Sequence, residues 1–192
     1  MKVFKRVTDP EVVAMLRRGA VGVLPTDTLY GIVASTAYPD AIERLYEVRH
    51  RSSLKGCITL IADKDQASNI VEWNSFDRKL ASKYWPGPVS IVLPVAEYTP
   101  SYLHPVKGTL AFRVPDNEDL RTLLWHTGPL FAPSANPAGM KPAATIEEAR
   151  AYFGDKVDFY IDAGDLSGNK PSTLIRQKDG EVEVLRGSLP NV

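Results

Sequence analysis

The stretch Ala20-Val21-Gly22-Val23-Leu24-Pro25-Thr26-Asp27-Thr28-Leu29-Tyr30-Gly31 sets the fold class. Ala20 to Leu24 is an uninterrupted apolar run of strand length, which reads as a buried strand. Pro25 has no N–H to give to a β-ladder and ends it. Two threonines and an aspartate follow at once. In α/β proteins the ends of strands are where ligands bind. This loop therefore reads in two ways. It is a strand-to-helix turn whose hydroxyls cap the next element, or it is a polar loop that holds a small ligand.

Working outward, Asp9-Pro10-Glu11 reads as a helix start, with Asp9 as the cap and Pro10 where a missing N–H costs nothing. Arg17, Arg18 and Gly19 read as its stop. The residues before it, Met1 to Arg6, run into that helix start without an apolar leader. A second helix is predicted over Asp40 to Arg49, with Ile42, Leu45 and Tyr46 on one face and Glu43 placed for a capping box. Strands are predicted at Cys57–Ala62, Val89–Val95, Leu110–Val114, Leu130–Ala132 and Phe159–Asp162. Helices are predicted at Ser75–Tyr84, Asn117–Trp125 and Ile146–Phe153, the last opened by a Thr145/Glu148 capping box. Thr173–Gln177 and Glu181–Leu185, joined across Asp179-Gly180, read as a β-hairpin. Strands mixed with helices and a terminal hairpin predict an α/β domain on a mixed sheet.

The 192 residues suit one domain, 1–192, with a sizeable core. Lys+Arg and Asp+Glu stand at 23 each, which gives no global basic field for nucleic acid. The single cysteine, Cys57, forms no disulfide within the chain, and His50, His104 and His126 lack metal-ligand spacing, so no protein metal site is expected. No apolar run approaches the roughly 18 residues of a membrane span. A cytoplasmic protein that does not touch membranes is the expectation.

Five further segments carry polar residues that a scaffold does not require. Arg49-His50-Arg51-Ser52-Ser53-Leu54-Lys55 places three cations just before a strand, which suits a polyphosphate, though a solvated helix end favoured by the dipole is the plainer reading. Arg49 and Arg51 can converge only if the helix ends near them. Trp85-Pro86-Gly87-Pro88-Val89-Ser90 is a stiff turn leading into a strand. Pro133-Ser134-Ala135-Asn136-Pro137-Ala138-Gly139 offers small residues and hydroxyl and amide groups after a short strand. The segment from Gly164 to Ile175 is a long polar loop that locks into a strand, long enough for a binding loop or lid. Arg113 and Arg186 each end an apolar strand, where an arginine serves as an anion ligand or as ordinary surface. The nucleotide loops built on repeated glycines are absent, as is the Gly-x-Ser-x-Gly nucleophile elbow.

In this order the segments resemble the YrdC/TsaC family of threonylcarbamoyl-AMP synthases, in its short single-domain form. The resemblance rests on Pro25-Thr26-Asp27-Thr28-Leu29-Tyr30-Gly31, the basic cluster with Arg51 and Lys55, Trp85-Pro86-Gly87-Pro88, Ala111-Phe112-Arg113-Val114-Pro115, Ser134-Ala135-Asn136, Pro171-Ser172-Thr173 and Leu185-Arg186. It departs from the family pattern at Arg49, where lysine is usual, at Ser52, where proline is usual, at Ser90, where threonine is usual, and at Pro137-Ala138, where a serine commonly precedes the glycine. The resemblance implies a twisted, mixed, open sheet with flanking helices and a positively charged central cavity. It also implies ATP with Mg²⁺, bicarbonate and L-threonine as substrates, and partner proteins that carry the threonylcarbamoyl group to tRNA. On this basis Thr28, Arg113, Ser134 and Ser172 are threonine ligands. Arg49, Arg51, Lys55, Thr109, Asn136 and Arg186 are ATP ligands. No covalent residue is implied. The alternative is a catalytically altered relative that binds tRNA or double-stranded RNA through the same cations.

Overall fold

The computed structural model describes residues 2–52, 56–103 and 108–190. Helix caps read from the sequence set many of its boundaries. The Asp9 carboxylate accepts from the Glu11 N–H and opens α1 (Pro10–Leu16). Asn117 caps α4 (Glu118–Thr127), and Thr145 caps α5 (Ile146–Phe153), with Glu148 reaching back to the Ala144 N–H. Asn74 caps α3 (Ser75–Tyr84). The expected Asp40/Glu43 box is not what starts α2 (Pro39–Val48). That helix opens at Pro39 with Tyr38 at the cap position and no side-chain cap bond, because proline at the first position already supplies the helical φ.

The strands are β1 (Lys2–Phe4), β2 (Gly22–Pro25), β3 (Tyr30–Ser35), β4 (Ile58–Leu60), β5 (Val89–Pro94), β6 (Thr109–Arg113), β7 (Leu130–Phe131), β8 (Phe159–Ile161), β9 (Thr173–Lys178) and β10 (Glu181–Arg186). They form one mixed sheet in the order β1-β8-β2-β3-β7-β4-β6-β5-β9-β10. The β1/β8, β2/β8, β4/β6 and β5/β9 pairs are parallel, and β9/β10 is the expected hairpin. Two strands depart from the sequence reading. Lys2–Phe4 joins the sheet edge beside β8 and does not merely lead into α1. Tyr30–Ser35 runs antiparallel to β2, so the Thr26–Leu29 segment is a strand-to-strand turn and not a strand-to-helix turn.

Helices cover both faces. On one face α2, α3 and α5 bury Ile42, Leu45, Leu80, Ala81, Ala149 and Phe153 with Val23, Ile32 and Phe112 of the sheet. On the other, α1 and α4 bury Val12, Leu16, Leu120, Leu123 and Leu124 with Leu24, Val33, Leu60 and Phe159. Strands buried on both sides read as continuous apolar runs, and β3 is buried at all six positions. Gly22 is dictated by packing: a Cβ there would lie 2.2 Å from the Phe159 ring. The topology brings the end of β2, the start of β3, the end of β6, the segment after β7 and the residues just before β9 to one place on the sheet.

Candidate active site

Thr26 ties the turn after β2. Its hydroxyl accepts from the N–H groups of Thr28 (3.1 Å) and Leu29 (3.2 Å) and donates to the Leu29 carbonyl (2.7 Å). That leaves the Thr28 hydroxyl facing Arg113 at the end of β6, whose Nη2 donates to it at 3.2 Å. The Nη1 of Arg113 pairs with the Asp27 carboxylate, and the other Asp27 oxygen accepts from the Asp116 N–H at 3.1 Å. Both side chains are buried, 3% and 6% exposed, so this is an interior ion pair rather than a surface one. The Arg113 Nε is buried and has no protein partner.

Ser134 faces Gly31 of β3 through an isolated bridge. Its hydroxyl donates to the Asn136 side-chain oxygen at 2.6 Å. At the start of β9 the Ser172 hydroxyl lies 2.9 Å from that of Ser90, which is how the Trp85–Ser90 turn enters the site. Arg186, at the end of β10, donates to the Ser172 carbonyl (2.9 Å) and hydroxyl (3.1 Å). Burial lowers the Arg186 pKa, and Arg113 and Arg51 lower it further. The three cations thus repel one another, and an incoming anion relieves that repulsion.

Thr26, Thr28, Arg51, Arg113, Ser134, Ser172 and Arg186 line one cavity of about 210 Å³, with no carboxylate and no histidine among the described residues of its wall. A second cavity of about 710 Å³ adjoins it, sharing Arg51, Gly56, Cys57, Ile58 and Arg186, and it contains Thr109 and the basic side chains of Arg176 and Lys178. Arg51 donates weakly to the Gly56 carbonyl at 3.5 Å, and its buried Nε has no partner. Unpartnered buried guanidinium donors are costly, and Arg49 Nη1 is a third such atom beside the Nε of Arg51 and of Arg113. Cys57 stands in the shared wall. Burial pushes its thiol pKa up, while Tyr46, Arg49 and Arg51 pull it the other way.

The structure therefore gathers Thr28, Arg51, Thr109, Arg113, Ser134, Ser172 and Arg186 around two connected cavities. Lys55 lies outside the described residues. Arg49 and Asn136 line neither cavity. Helix α2 stops at Val48, and His50 takes a left-handed backbone (φ 49°), so Arg49 turns inward while Arg51 reaches the site. The sequence reads Asp27 only as one polar group of the loop after β2, not as the partner of Arg113. The two lie 86 residues apart, and only the sheet reveals the pair.

An open mixed sheet flanked by helices, with arginines lining two adjoining cavities at its strand ends, defines an α/β protein with a cationic site. The chain belongs to the Sua5/YciO/YrdC family, described as "Telomere recombination", whose model matches residues 14–188. A threonylcarbamoyl-AMP synthase of Marinobacter nauticus is 35% identical over 161 residues, covering 82% of this chain and 84% of its own. The crystal structure of Pyrococcus abyssi Sua5 complexed with L-threonine superposes with a TM-score of 0.88 at 26% identity, over 97% of this chain and 57% of that longer one. E. coli YciO superposes with a TM-score of 0.85 at 25% identity, over 97% of this chain and 95% of its own.

Proposed function

We propose that the chain is an L-threonylcarbamoyladenylate synthase. It joins L-threonine, bicarbonate and ATP into threonylcarbamoyl-AMP and pyrophosphate, for the N6-threonylcarbamoyladenosine modification of tRNA. The observation that carries this reading is the division of the site. A small cavity of about 210 Å³, rich in hydroxyls, opens through Arg51 and Arg186 into a larger one of about 710 Å³. The smaller is below the roughly 300–1,000 Å³ of a drug-sized pocket and suits an amino acid; the larger suits a nucleotide.

In this reading Arg113 takes the threonine carboxylate, and Thr28, Ser134 and Ser172 bond its polar groups. Arg51, Lys55, Thr109 and Arg186 hold ATP, with Arg51 and Arg186 at the junction where the α-phosphate sits. The threonine amine attacks bicarbonate carbon, hydroxide leaves as water, and a carbamate forms. A carbamate oxygen then attacks the α-phosphorus as the bond to pyrophosphate breaks in line. Such a transfer needs positioning and neutralised charge more than a protein nucleophile, which matches a lining of arginines and hydroxyls. Mg²⁺ arrives with ATP as part of the nucleotide substrate. Product release in the cytoplasm to tRNA-modifying partner proteins completes the reading.

Pyrophosphate release tests it. Release must require ATP, bicarbonate and threonine together. Release indifferent to threonine refutes the reading. Retention of tRNA with a steep salt dependence and no pyrophosphate would instead favour an RNA-binding module.

A further inference from the structure

Arg49 stands at the first position of the basic cluster but behaves unlike Arg51. It is 1% exposed, while Arg51 lines both cavities. Burial depresses its pKa to about 10, which leaves it charged at neutral pH. A buried cation is costly where it is not bonded. Among the described residues the Arg49 Nη1 has no protein partner, and the one hydrogen bond its guanidinium makes is to a single loop. The Arg49 Nε donates to the Asn136 carbonyl at 3.1 Å, and the Arg49 carbonyl accepts from the Ala138 N–H at 2.8 Å. Main chain and side chain of one residue thus clasp the loop that follows β7 from both sides.

That loop is closed by Asn136 itself. Its Nδ2 donates to the carbonyls of Pro137 and Met140, both at 2.9 Å, and its Oδ1 accepts from the Ser134 hydroxyl at 2.6 Å. The chain of bonds runs from the end of α2 through Arg49 and Asn136 to Ser134, and Ser134 is the member that faces the small cavity. The cluster divides its labour accordingly: one arginine reaches the ligand, and the other holds the wall.

We propose that Arg49 is a positioning residue for the amino-acid side of the site and not a phosphate ligand. It fixes the Ser134–Met140 loop so that the Ser134 hydroxyl is presented at a set place. The inference rests on the assignment of the small cavity to threonine, and the experiment separates failure of one from failure of the other.

The test compares steady-state kinetics of wild type, Arg49→Met, Ser134→Ala and the double variant, with threonine and ATP varied separately. Methionine keeps the buried length and removes the donor. Arg49→Met raises the threonine KM by about tenfold and leaves the ATP KM within about twofold, the signature of a misplaced binding wall. In the Ser134→Ala background the same substitution adds nothing, because residues acting through one another are non-additive. A raised ATP KM with the threonine KM unchanged overturns the proposal, as do equal effects on both, no effect on either, or additive effects in the double variant. If Arg49→Met does not fold, Arg49→Gln is read by the same criteria. A wild-type protein without threonine-dependent turnover would refute the synthase reading itself, before any variant is compared.

Discussion

Removing the Asp27 carboxylate is expected to destabilise the protein far more than its place in a turn suggests. Asp27 is the carboxylate that pairs with Arg113, and Arg113 sits in a site already shared with Arg51 and Arg186. With the two side chains 3% and 6% exposed, water cannot replace the lost partner. Breaking such a pair from one side costs about 3–5 kcal/mol. For a domain of this size each kcal/mol moves the melting temperature by about 2–4 °C, so Asp27→Ala should melt about 6–20 °C lower. Removing both charges leaves no buried unpaired charge, and the Asp116 N–H that loses its acceptor is exposed to water, so Asp27→Ala/Arg113→Met should recover most of that loss. Urea denaturation of the four proteins in the cycle measures both quantities. A loss below about 1 kcal/mol for Asp27→Ala, the scale of an exposed pair, or strict additivity in the double variant, would refute an interior pair that anchors Arg113.

Two further outcomes follow from packing and charge. Gly22→Ala drives a methyl group into the Phe159 ring, 2.2 Å away, and should cost about 1–3 kcal/mol of unfolding free energy while turnover per folded molecule is preserved; an unchanged urea midpoint would contradict the contact. The Cys57 thiol pKa is raised by burial, so less thiolate is present at a given pH than on a free cysteine, and reactivity grows as pH climbs through the raised value. Iodoacetamide at pH 8 should label it at least about tenfold more slowly than the unfolded chain, and MgATP should slow labelling further; equal rates folded and unfolded would contradict its place in the shared wall.

Much of the architecture was legible in the sequence because helix ends and buried strands have local causes. Asp9-Pro10, Asn117 and Thr145/Glu148 announce their helices through the hydrogen bonds their side chains make. What was not legible depends on distant packing. Tyr30–Ser35 is buried at every position and shows no alternation, and it begins within the polar Thr26–Gly31 loop, so its short apolar run does not stand apart from that loop in the sequence. Lys2–Phe4 is three residues long and is a strand only because β8 lies beside it. Each polar loop had an ordinary structural reading of its own, and it was their order along the chain that set them together; the structure brings Thr28, Arg51, Thr109, Arg113, Ser134, Ser172 and Arg186 around the two cavities. The support for that site was hidden. Asp27 meets Arg113 across 86 residues, and whether Arg49 or Arg51 reaches the cavity is decided by where α2 stops and by the left-handed backbone of His50.

The central claim is that one cavity joins threonine to the α-phosphate of ATP through the carbon of bicarbonate. Mass spectrometry of the nucleotide product, made from ¹³C-bicarbonate, threonine and MgATP, tests it directly. The expected product is an adenylate that contains the threonine skeleton and is heavier by the isotopic label. AMP alone, or an adenylate that excludes the bicarbonate carbon, would contradict it.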